Sequence, residues 1–144
     1  MALGFEIKFN STDWATYHFT IIRQGIKGRD QLGGVRSNIE YIPGVDDALD
    51  FGSDYVMRNI YVTGWITGAT RAAVLTDIGN IRTAIDIGTY AYKKLQFGDE
   101  TSGNCCYEAV YNGTFIVEHL GSVLIAKNVL VTVGFLVKKD KVAV

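Results

Sequence analysis

The sequence predicts a mainly β, α+β domain: a β-sandwich or split barrel with one packed α-helix and a long arm loop. Three observations carry this expectation. Apolar and polar residues alternate through most of the chain, the period of a half-buried strand. One segment alone, residues 71–86, changes to helical spacing. Residues 25–54 hold six of the sixteen glycines and the only proline, with mixed charges and little periodicity, which reads as an extended arm.

Taken in order, Phe5, Ile7 and Phe9 form one face of a short first strand. Tyr17, Phe19 and Ile21 alternate with His18, Thr20 and Ile22 in a second. Over residues 59–66, Ile60, Val62, Gly64 and Ile66 take one face, and Tyr61, Thr63 and Trp65 the other. In the helix, Val74, Leu75, Ile78, Ile81 and Ile85 fall within an arc of roughly 120°, a core-facing stripe. Thr70 is placed to cap its start and Gly88 to end it in the left-handed conformation. Gly79 inside it costs about 1 kcal/mol relative to alanine, which points to something approaching closely. Arg71 and Arg82 border the stripe beside Leu75, suited either to snorkel or to reach a neighbouring subunit. Asn112-Gly113, between the alternating stretches 107–111 and 114–118, has the composition of a type I′ turn and predicts a hairpin. In the last strand Val129, Val131, Val133, Phe135 and Val137 face one way and Leu130, Thr132 and Leu136 the other. Apolar groups on both sides place it centrally or at a subunit contact. Lys138, Lys139 and Lys141, broken by Asp140, read as a solvated tail.

At 144 residues, with 48% hydrophobic and 20% charged residues, the chain suits one globular domain, 1–144, with no linker or internal repeat. A net charge of −1 gives no general attraction to nucleic acid or anionic lipid. The first residues lack the basic and apolar regions of a secretory leader. The long apolar stretch 120–137 is valine-rich and interrupted by Gly121, Ser122, Lys127, Asn128 and Gly134, so it reads as strand and not as a membrane helix. Cys105 and Cys106 are adjacent. They could pair only with strain, and two thiols alone make no structural zinc site, so free thiols in a reducing compartment are expected. Asn10-Ser11-Thr12 and Asn112-Gly113-Thr114 match a glycosylation pattern but read as turn sequences.

Catalysis needs converging groups, and few are offered. His18 and His119 each sit in alternating sequence and read as ordinary strand residues. No Gly-x-Ser-x-Gly elbow singles out a serine. Glu40, Asp46, Asp47, Asp50 and Asp54 cluster without the twelve-residue calcium loop, and read as a solvated acidic turn. Gly25-Ile26-Lys27-Gly28 lacks P-loop spacing and a following helix. Trp14, Trp65 and the eight tyrosines could stack on sugar rings, but their interleaving with aliphatic residues favours core packing. No catalytic residue, cofactor or metal site is assigned, and the chain is not expected to be an enzyme.

One resemblance covers most of the chain. Glu40-Tyr41-Ile42-Pro43-Gly44-Val45-Asp46 is followed by Tyr55-Val56-Met57-Arg58-Asn59-Ile60-Tyr61-Val62-Thr63-Gly64-Trp65-Ile66-Thr67-Gly68. Then come the helix from Arg71 and the strand Lys94-Leu95-Gln96-Phe97-Gly98-Asp99. This resembles the N-terminal, ring-forming domain of bacteriophage distal tail proteins. There a Pro-Gly-x-Asp-Gly turn precedes an Arg-x-Ile-x-Val-x-Gly strand, a helix and a Leu-x-Phe strand; Asp47 here stands where that turn has its second glycine. The resemblance implies a fold of tail-tube type and a minimal family member. It implies a structural ring, hexameric, joining the tail tube to the tail tip or baseplate in the virion tail after assembly in the host cytoplasm. The implied partners are further copies of the chain, the tail-tube protein and the tail-tip hub protein. A tape-measure protein and DNA would pass through the lumen, and no membrane is involved. Pro43, Gly44, Asp46, Arg58, Arg71 and Arg82 are the resulting candidates for the subunit interface, and the arm is expected to cross to an adjacent subunit. A major tail-tube subunit and a small carbohydrate-binding module are the alternatives.

Overall fold

The alternating segments pair into one antiparallel sheet of seven strands. The computed structural model describes residues 6–29, 35–40, 49–55, 58–86, 91–119 and 127–143. The chain runs β1 (Ile7–Phe9), β2 (Thr12–Asp13), β3 (Phe19–Lys27), β4 (Val35–Glu40), β5 (Leu49–Tyr55) and β6 (Arg58–Thr67). It continues through α1 (Arg71–Ile85), β7 (Lys93–Phe97), β8 (Asn104–His119) and β9 (Asn128–Ala143). Strands lie in the order β2-β1-β7-β8-β9-β6-β3, and β4 and β5 form a separate two-stranded sheet. The fold is therefore mainly β with a single helix among the described residues, as the sequence predicts.

The inner face of the sheet and one side of α1 share a single core. Ile60, Val62 and Ile66 of β6 join Val129, Val131, Val133, Phe135 and Val137 of β9 against Val74, Ile78, Ile81 and Ile85 of the helix. The last strand is central, paired on one side with β6 and on the other with β8. The sheet also curls on itself. Phe9 of β1, near one end of the sheet, meets Phe135 of the central strand with ring centroids 5.0 Å apart. From the other end, the Ile21 amide of β3 donates to the Glu6 carboxylate at 2.6 Å. Trp14 fills the space between, edge-on to Phe19 at 5.4 Å and 6.0 Å from Phe135.

Several local expectations are corrected. Tyr17 and His18 are not strand residues: Trp14–Tyr17 is a 3-10 turn, and β3 begins only at Phe19. The Asp13 carboxylate accepts from the Ala15 amide at 2.9 Å, capping that turn, and His18 closes it in the left-handed conformation with φ 57°. Asn112-Gly113 is not a hairpin turn. It lies inside the sixteen-residue β8, where the register with β9 jumps between Tyr111 and Phe115. The positive φ of Gly113, +96°, serves a bulge, since Asn-Gly supplies left-handed backbone to either structure. The tight turn is Asn10-Ser11, whose φ angles of 54° and 67° join Phe9 to its partner Thr12.

The helix begins as expected, with Thr70 Oγ1 accepting from the Ala73 amide at 3.2 Å. It ends at Ile85, and Gly88 lies outside the described residues. Its buried side differs from the predicted stripe by one position: Leu75 is half exposed and Asp77 is buried in its place. Asp77 is tolerated there because its carboxylate meets His18 Nδ1 at 3.0 Å, tying the helix to the 3-10 turn. Apart from the helix's own backbone, no atom of the described residues lies within 4 Å of a Cβ built on Gly79, so the described residues show no close approach to it. The C-terminal lysines are not a tail, because β9 continues through them and pairs Lys139 with Glu108. The arm is partly regular: residues 25–27 complete β3, and β4 and β5 form a hairpin paired from Val35↔Tyr55 to Glu40↔Leu49.

Candidate functional site

The predicted interface residues separate into two groups and a remainder. Pro43, Gly44 and Asp46 lie outside the described residues, as do the side chains of Glu40, Asp47, Asp50 and Asp54. Arg58 opens β6 and is engaged within its own chain. Its Nε donates to the Gly28 carbonyl at 3.0 Å and its Nη2 to the Arg29 carbonyl at 2.6 Å. The guanidinium also lies over the Tyr107 ring at 5.8 Å. Arg58 thus fixes the point where the chain leaves β3 for the arm.

Arg29 completes that lock, and sequence reasoning missed it. Its Nη1 and Nη2 donate to both carboxylate oxygens of Asp99 at 3.0 and 2.8 Å, and Nη2 also reaches Glu100 at 2.7 Å. The guanidinium stacks on Phe97 at 4.5 Å. Burial is the largest single influence on this group and disfavours its charge. The hydrogen bonds with Asp99, Tyr107 and Glu100 together outweigh it and hold the pKa above the ordinary arginine value. Gln96, itself buried, donates to the Glu100 carbonyl at 3.2 Å and holds the acidic turn in place. The available signal was Arg29 itself, a cation set among glycines, but only the fold brings Asp99-Glu100 to it from seventy residues away.

Arg71 and Arg82 lie on α1, Arg71 half-buried in the first turn and Arg82 exposed in the last. A cation in the last turn is favourable against the helix dipole. The helix stripe they share with Leu75 faces away from the core. The outer face of the sheet carries a second partly apolar surface. Across it run the rows Trp65–Leu130–Glu118 and Thr63–Thr132–Ile116, set by the pairing of β6, β9 and β8. The Thr63 and Thr132 hydroxyls bond each other at 3.0 Å. Trp65 and Leu130 are half-buried, Glu118 is exposed and Ile116 is half exposed.

The remaining candidates for chemistry do not converge. His18 is occupied by Asp77, and His119 stands at the far end of β8, paired in register with Val129. Both thiols are free and buried. Burial, and then the neighbouring Cys105 thiol, pushes the Cys106 thiol above its ordinary range, which makes it a poor nucleophile. Among the described residues no group of three or more His, Cys, Asp or Glu side chains could hold a metal ion. No described helix is long and apolar enough to cross a membrane. Of the tryptophans, Trp14 is core and only Trp65 reaches the surface.

No protein-family model matches the chain, and no curated protein matches it in sequence. Among solved structures it is similar to the Dit protein of phage SPP1, described as a paradigm of the hub adsorption apparatus in phages that infect Gram-positive bacteria. The TM-score is 0.65 at 17% identity, over 94% of this chain and 50% of the phage protein. This chain thus spans about half the length of that protein, and what the two share is the fold: the curled antiparallel sheet with its helix resembles a phage tail Dit domain.

Proposed function

We propose that this chain is a structural, non-enzymatic component of a phage tail, and that residues 1–144 act as one ring-forming unit. The single observation that carries the reading is the shared fold over 94% of the chain. In this reading six copies form a ring in the virion tail, assembled in the host cytoplasm. The ring joins the tail-tube protein to the tail-tip hub and leaves a lumen for the tape-measure protein and DNA. A near-neutral chain of net charge −1 suits a passage through which DNA must slide, since strong positive charge would retain it. The separate hairpin of β4 and β5 supports the arm: a two-stranded sheet is marginal in water alone and gains stability where a neighbouring subunit covers it. Pro43, Gly44 and Asp46, between its strands, are then the arm residues that reach across.

The test is the native mass of the purified protein over a range of concentrations. A closed species of six times the 15.8-kDa chain is expected. Open-ended polymers would instead identify a tail-tube subunit. A chain that stays monomeric with its tail neighbours present and binds glycans would overturn the ring.

A further inference from the structure

We propose that neighbouring copies of this chain meet helix to sheet. The outer stripe of α1, formed by Arg71, Leu75 and Arg82, packs on the outer face of the next copy's sheet around Trp65, Ile116, Glu118 and Leu130. The inference rests on the ring reading and names the surfaces that would close it.

Among the described residues two large hydrophobic side chains stand half exposed, Leu75 and Ile116, each at 50%. They belong to two different surface patches. Leu75 is on the side of α1 turned away from the core, while Ile116 is on the sheet face turned away from that same core. A closed ring needs this arrangement. Rotation about a ring axis joins two different patches of each subunit, one to the patch behind it and one to the patch ahead, whereas a two-fold dimer joins a single patch to itself.

Charge agrees with the pairing. Arg82 lies seven residues, two helical turns, from Leu75 and so on the same stripe. Glu118 lies two residues from Ile116 on the same strand face. Both are exposed, and neither has an ion-pair partner among the described residues. With Leu75 packed against Ile116 and Leu130, the arginine end of the stripe meets the carboxylate. Gly79 then has a use. It lies on this stripe, nothing among the described residues outside its own helix backbone comes within 4 Å of its Cβ position, and a side chain there would hold the neighbouring sheet away.

The experiment pairs cross-linking with charge reversal, and circular dichroism checks that every variant folds. A chain carrying both Leu75→Cys and Ile116→Cys, oxidised gently, should give a covalent ladder that stops at six copies. The two single-cysteine variants mixed together should give only dimers. Arg82→Glu or Glu118→Arg should weaken association at least about tenfold, and the two reversals together should restore most of it. Six-copy rings in every charge variant, with no cross-linked ladder, would overturn this contact and leave the ring reading standing. Absence of any six-copy species from the parent protein, with or without its tail neighbours, would overturn the ring reading and this contact with it.

Discussion

Arg29 shows how one side chain can fasten distant parts of the chain. It joins the end of β3 to the turn after β7 through five partners of different kinds: two carboxylates, a phenol, an aromatic face and, by its carbonyl, Arg58. Arg29→Lys keeps the charge but loses the forked geometry and most of the stacking. Asp99 is 67% exposed, so solvent screens part of the interaction. We expect a loss of roughly 1–3 kcal/mol in denaturant unfolding, with Arg58→Lys destabilising in the same direction. An unchanged midpoint for Arg29→Lys would mean that charge alone suffices at this site. None of this was legible from residues 25–54, because an arginine among glycines carries no sign of its partner. The burial of Asp77 was hidden for the same reason: its justification, His18, comes from another element.

At the scale of elements, the sequence was readable wherever one face of a strand or helix met the core. The alternation matched burial over residues 60–66 of β6 and, Gly134 apart, over residues 129–137 of β9, because an apolar residue every second position has only one way to be buried. It was less readable where local chemistry serves two structures. Asn-Gly fits a hairpin turn or a bulge, and only the long partner strand β9 decides between them. Tyr17 and His18 extend the alternation of β3 in the sequence but belong to a turn that Asp13 caps. The bulge gives a direct prediction. A Cβ on Gly134 would stand 2.6 Å from Asn112 Nδ2, so Gly134→Ala must displace the Asn112 side chain. That side chain accepts from the Thr114 amide and donates to Asn59 Oδ1, both at 2.9 Å. Gly134→Ala should therefore cost about 1–3 kcal/mol, and Asn112→Ala should remove part of that penalty. Strict additivity of the two changes, measured by thermal unfolding, would show that the clash is relieved elsewhere.

For the whole molecule, the seven-stranded sheet and the β4–β5 pair are separate sheets, and Arg29 and Arg58 bond at the point where the chain leaves β3. A deletion that begins at Lys27 would cut into β3 and remove the lock. Replacing residues 31–55 with a short flexible linker spares both. We expect that variant to keep its far-ultraviolet circular dichroism and cooperative melting while failing to form rings; rings of normal mass would rule out a crossing arm. The Asn112 bulge also has a consequence measured in time. An asparagine before a glycine is chemically perishable: the Gly113 nitrogen attacks the side-chain carbonyl carbon, ammonia leaves, and water opens the succinimide to aspartate or isoaspartate. Here both ends of the amide are tethered, the oxygen to the Thr114 amide and the nitrogen to Asn59, which restrains the rotation that attack requires. Parent and Asn59→Ala protein stored side by side at mildly alkaline pH should differ, the variant converting faster at residue 112 by peptide mass spectrometry. If so, the strand irregularity sets how long the protein keeps its original chemistry.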